Sequence, residues 1–110
     1  MRRAHTYSSQ TLDAAAVLGL TIAAARRERR WTAAELADRA GVSLTTLRNV
    51  ERGAPTVAIG VVFEVATLLG IELLGTGRAE LPGLVSRHQD RLALLPARVR
   101  EPHEPVDDDF

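Results

Sequence analysis

The chain has no cysteine and no lysine, and aromatic residues make up only 4% of it: two Phe, one Trp and one Tyr. Without cysteine there are no disulfides and no thiolate metal sites, so the fold must rest on packing alone. With so few rings, that packing has to come from Leu, Val, Ile and Ala, which suits helices. Apolar residues at 45% still permit a core, and 110 residues allow one domain. A long hydrophobic run is also lacking. The best candidate, Ala14 to Ala25, is interrupted and too short to cross a bilayer, and no signal peptide is visible, so a soluble cytoplasmic protein is expected. Catalytic patterns are missing as well: His5, His88 and His103 lie far apart, no HExxH is present, and no glycine-rich phosphate loop follows a strand. Neither enzyme activity nor a metal or other cofactor is expected.

Net charge is zero, but the two halves differ. Residues 1–60 hold nine Arg against five acids (+4), and residues 61–110 hold five Arg against nine acids (−4). Binding to a polyanion depends on local charge, so the first half is suited to it and the second is not. The exclusive use of Arg is explained as easily by base composition of the genome as by function.

The densest information lies between Thr32 and Gly53, TAAELADRAGVSLTTLRNVERG. Thr32 can cap a helix that starts at Ala33, with Glu35 reaching back in a capping box. Leu36, Ala37 and Ala40 supply its buried side, and Gly41 stands where the chain must turn with left-handed geometry. Ser43 caps a second helix running to about Arg52, stopped by Gly53 and Pro55. At 100° per residue, Leu47 and Val50 face inward with Val42 beside them. The opposite side carries Thr45, Arg48, Asn49 and Arg52, with Leu44 and Thr46 on its flanks. Arg can pair bidentately with guanine and Asn with adenine, and Thr can meet a thymine methyl or a phosphate, so this face is equipped to read a major groove. A plain solvated face is the alternative.

Taken together, these residues resemble the helix-turn-helix of the Xre/Cro family of phage-repressor-like regulators. The match is carried by Glu35-Leu36, small Ala37 at the helix crossing, Gly41 at the turn, apolar Leu47 and Val50, and the terminal Glu51-Arg52-Gly53. The resemblance implies an all-α, five-helix domain bound to double-stranded DNA. It places Leu44, Thr45, Arg48 and Asn49 at bases, and Thr32, the N–H of Ala33, Arg52 and the residues just after Gly53 near phosphates. One departure stands out: family members often carry Gln at the first position of each helix, where this chain has Ala33 and Leu44.

Upstream, Ser9 or Thr11 can cap a helix running to about Arg29, with Leu18, Ile22 and Ala25 facing inward. Arg26, Arg27, Arg29 and Arg30 crowd its end. They either complement the helix dipole or reach phosphates, Arg26 and Arg30 being the candidates for the second role. Trp31 is expected to plug the core. Residues 1–8 read as a flexible arm whose Arg2 and Arg3 touch DNA weakly.

Downstream, Thr56 is expected to cap a helix from about Val57 to Leu69, ended by Gly70. Ile59, Val62, Phe63, Ala66 and Leu69 form a core stripe, and Val61, Val65 and Leu68 a second one needing cover. A partner subunit or the chain's own C-terminal segment could supply it. Ile71 to Leu74 reads as a short strand able to pair across a dimer, which adds Ile71 and Leu73 to the expected dimer interface of Val61, Val65 and Leu68. The domain organisation is therefore an arm (1–8), a helix-turn-helix domain (9–74), a helical extension (75–95) and an acidic tail (96–110). In the extension, Pro82 opens a helix to about Leu95, with Leu84, Val85, His88 and Leu92 on one face.

The tail is polar and cannot bury a core. With the Xre-type domain before it, the run LLPARVRE followed by VDDDF resembles the C-terminal region of HipB-like antitoxins encoded beside HipA-type serine/threonine kinase toxins. That resemblance implies a dimeric autorepressor on an inverted-repeat operator, with Asp107, Asp108, Asp109 and Phe110 as the toxin-binding residues. A stand-alone repressor, or an interaction adaptor that has lost DNA binding, would leave the same helix-turn-helix.

Overall fold

In the computed structural model, which describes residues 6–99, hydroxyls start the first three helices. Ser8 caps α1 (Ser9–Glu28), Thr32 caps α2 (Ala33–Ala40) and Ser43 caps α3 (Leu44–Glu51), each accepting from the backbone N–H three residues on. At α2 the capping box is complete: Thr32 N–H donates to Glu35 Oε1 at 2.7 Å, and Glu35 N–H to Thr32 Oγ1 at 3.0 Å. The cap of α1 is Ser8 rather than Ser9 or Thr11; serines at both positions and a threonine nearby left several hydroxyls to choose from.

A fourth helix, α4 (Ile59–Leu68), has no side-chain cap. It starts two residues later than expected, because Pro55 and Thr56 form a turn and Val57 packs on the core before the chain enters the helix at Ala58. Thr56 therefore does not cap it. Beyond Gly75 the chain forms a second compact unit, containing a 3₁₀ turn (Arg78–Glu80) and α5 (Leu81–Ala93) with Pro82 in its first turn. Among the described residues, the five α-helices and their order make the fold all-α.

Helices α1 to α4 end alike. In each, the N–H of the residue after a left-handed position reaches back five residues: Trp31 to Arg26, Val42 to Ala37, Ala54 to Asn49 and Ile71 to Ala66, all at 3.0–3.2 Å. This Schellman arrangement needs a left-handed residue, supplied by Gly41, Gly53 and Gly70 in three cases. The fourth is Arg30, at φ 59°.

The core lies in the first unit. Ile22, Leu36, Ala37, Leu47, Val50, Val65, Ala66 and Leu69 are buried, and Trp31, Val42, Val57, Val61, Val62 and Leu68 pack around them. Each large aliphatic side chain fully buried there contributes about 1.5–3 kcal/mol relative to exposure. Helix α1 approaches the end of α3 closely: a Cβ on Gly19 would stand 2.6 Å from the carbonyl oxygens of Val50 and Glu51, and one on Gly53 2.7 Å from Ala16 Cα. Only hydrogen fits at either place.

Two expectations for α4 and its sequel need correcting. Val65, expected to face a partner, is fully buried at the centre of the core, and Val61 and Leu68 pack against it. The side left outward is marked by Ile59, 69% exposed. Ala66 and Leu69 are buried and Val62 packs on the core as expected, but an all-round apolar helix offers no polar stripe from which to read its rotation, and Val65 and Ile59 exchange places. Ile71 and Leu73 also pack on this chain's core. No strand forms over residues 71–74: Leu73 and Thr76 are isolated bridge positions, and between them Leu74 and Gly75 take φ of 60° and 69°, which turns the chain immediately.

Candidate nucleic-acid interface

The inward residues of α3, Leu47 and Val50, fix its rotation, and that rotation decides what the outer face presents. Leu44, Thr45 and Arg48 are exposed and Asn49 is half-buried. Thr46 is half-buried too, and its hydroxyl accepts from Ser43 Oγ at 3.0 Å beside the cap, which leaves Thr45 as the outward threonine. Arg52, just past α3, is exposed and donates from Nη2 to Asn49 Oδ1. This bond occupies the Asn49 amide oxygen, while Arg52 keeps further N–H donors. The first turn of α2 adds exposed Thr32 and half-buried Ala33, whose backbone N–H belongs to the positive end of that helix.

The arginines at the end of α1 separate into different tasks. Arg26 turns inward. Its Nε and Nη2 donate to the two carboxylate oxygens of Glu51 at 2.7 and 3.0 Å, and its Nη1 to the Trp31 carbonyl at 2.9 Å. Both side chains of the pair are largely buried. The hydrogen bond to Glu51 holds the Arg26 pKa above its ordinary value against the opposing effect of burial, and the guanidinium stays charged. The fork therefore ties the end of α1 to the end of α3, which is a structural use of an arginine expected at phosphates. Glu51, next to Arg52 in sequence, is the partner of Arg26. Arg39 stacks over Trp31 at 4.3 Å and Arg29 lies 5.8 Å from the same ring. Among the described residues, the side chains of Arg27, Arg30 and Arg48 make no ion pair or hydrogen bond and are exposed.

Sequence reasoning did not find the Arg26–Glu51 pair or the role of Gly19. The first joins residues 25 apart, and no local pattern reports it. For Gly19 a signal existed: a glycine inside a helix is unfavourable by about 1 kcal/mol against Ala, which points to a close approach. The expected toxin-binding residues Asp107, Asp108, Asp109 and Phe110 lie outside the described residues, as do Arg2 and Arg3. Among the described residues no group of acidic or histidine side chains could hold a metal ion, and no helix is long and apolar enough to cross a membrane.

Two capped helices joined at a glycine turn, with a polar face on the second, form a helix-turn-helix. Residues 22–75 match the helix-turn-helix family HTH_3. Among solved structures, a single-substitution HipB variant in its complex with an O2 20mer is similar to this chain. The likeness covers 70% of this chain and 99% of that one, with a TM-score of 0.51 and 21% identity, and it supports the fold. None of the curated proteins matches.

Proposed function

We propose that this protein is a sequence-specific transcriptional repressor in which α3 enters the major groove and Leu44, Thr45, Arg48 and Asn49 meet base edges. The observation that carries the reading is the outer face of α3, polar beyond what packing requires and flanked by arginines without acidic partners. Thr32, the Ala33 N–H, Arg30 and Arg52 hold backbone phosphates in this reading, and Arg26 serves the fold. Leu44, where family members often carry Gln, packs against a thymine methyl.

Within the same reading the repressor acts as a homodimer on an inverted repeat, with recognition helices about 34–36 Å apart. Because Val65 is internal, the dimer surface belongs elsewhere. The second unit offers one, exposing Val85, Leu92 and Leu95 along α5 and its end. The further step is an antitoxin role: autorepression of its own operon and neutralisation of a HipA-type kinase toxin. It is supported by the sequence resemblance of Leu94 to Phe110 and by the fold likeness to HipB.

The test is operator selection followed by affinity measurements against salt. Specific binding should fall steeply with salt as phosphate contacts release counterions, and Arg48→Ala and Asn49→Ala should each cost ~1–3 kcal/mol on the operator with little change on random DNA. A flat salt profile would leave only an interaction adaptor. Equal losses on operator and random DNA would remove Arg48 and Asn49 from base reading.

A further inference from the structure

Beside the outer face of α3 runs an open groove of about 350 Å³, lined by Leu20, Ala23 and Arg27 from α1 and by Arg48, Glu51 and Arg52 from the end of α3. Its charge is unbalanced. The carboxylate of Glu51 is taken by Arg26 at 2.7 Å, which leaves Arg27, Arg48 and Arg52 around the groove without an acid to offset them. Three like charges converging on one concave site repel one another, and an anion placed among them relieves that repulsion while accepting several charge-assisted hydrogen bonds. Arg27 has no hydrogen-bond or ion-pair partner among the described residues, and Arg52 uses one Nη2 donor on Asn49, so donors remain for such an anion. The exposed Leu20 forms an apolar wall that a small hydrated cation would not favour.

We infer that this groove is a phosphate-binding site, and that the phosphate it takes belongs to the backbone of the duplex read by α3. The proposal rests on the DNA-binding reading above and extends the footprint to the side of α1, with Arg27 as a phosphate-binding residue and Arg52 opposite it. Arg48 and Arg52 lie on the base-reading face and on the groove at once, so a duplex seated on that face brings its backbone to the groove. Residues 26 and 27 thus divide the work of the α1 end: one arginine is bound inside the protein and its neighbour is free for the ligand.

The experiment measures binding of the full chain to a 30-base-pair duplex of mixed sequence across a salt series, for which the operator need not be known. The slope of log affinity against log salt should fall by about 0.9 per bound chain in Arg27→Gln, because one fewer phosphate is neutralised on B-form DNA. Arg27→Lys should restore most of that slope. Leu20→Glu, which sets an anion on the groove wall at an already exposed position, should lower it without touching Arg27. An unchanged slope in both Arg27→Gln and Leu20→Glu, against a salt-dependent wild type, would overturn the site and leave the DNA reading standing. A wild type that binds no duplex would overturn both. A separate arm adds inorganic phosphate without DNA. Thermal unfolding should match that in chloride of equal ionic strength, and a phosphate-specific rise in Tm that disappears in Arg27→Gln would make a free phosphate the ligand instead of the duplex.

Discussion

At the scale of single residues, Arg30 is the position where local stability and function pull apart. It occupies the left-handed site of a helix end that three other helices fill with glycine, at φ 59°. An L-residue there costs roughly 1–2 kcal/mol, and glycine removes that cost while losing about 0.5–1 kcal/mol in unfolded-state entropy. Arg30→Gly should therefore raise stability by roughly 0.5–1 kcal/mol, seen as a higher Tm, and lower affinity for mixed-sequence DNA. Strain kept in place by a charged side chain is the expected mark of a ligand contact. A variant that gained stability and lost no affinity would make Arg30 a neutral accident of the helix end. The four neighbouring arginines also show why their tasks were not legible in sequence. Successive helical residues point about 100° apart, and which of them meets Glu51, Trp31 or solvent depends on where α1 crosses α3. That crossing is set by Gly19 and Gly53, whose partners are distant along the chain.

At the scale of elements, legibility followed locality. The caps Thr32 and Ser43, the Glu35 box and the Gly41 turn are short-range chemistry, and α2 and α3 begin where those residues said they would. The polar face of α3 was equally clear, because two apolar residues at 47 and 50 fix its phase. Helix α4 carried no such phase. With apolar residues nearly all round, its rotation is chosen by packing against α2, and the choice buried Val65, not Ile59. The two sites now make opposite predictions. Val65→Glu places a carboxylate in the core, costing several kcal/mol unless it is protonated, and should abolish the cooperative thermal transition. Ile59→Glu should leave Tm nearly unchanged, since exposed sites away from special features shift stability by about 0.5 kcal/mol or less. A folded Val65→Glu protein would return that residue to the surface and restore the dimer face first assigned to it.

At the scale of the whole molecule, charge and core are both segregated along the chain. Every buried core residue lies between Ile22 and Leu69, and the arginine-rich half contains the face proposed to read DNA, whereas acids dominate residues 61–110. A polyanion-binding surface and an acidic terminus have separate electrostatic preferences, so one chain can serve two partners without one site weakening the other. In the antitoxin reading, the terminal Asp107-Asp108-Asp109-Phe110 supplies the second contact, with three carboxylates for a basic groove and an aromatic anchor. Deleting residues 105–110 should therefore leave Tm, operator affinity and its salt slope as they are, because none of the core or α3 residues is removed. The same deletion should abolish co-purification with the partner kinase and relieve its inhibition in a phosphorylation assay. If the shortened protein still bound and silenced the kinase, the toxin surface would lie on the folded units, and the acidic end would be a solubilising tail. If it lost operator binding as well, the two halves would be coupled, and the separation of tasks along the chain would fail.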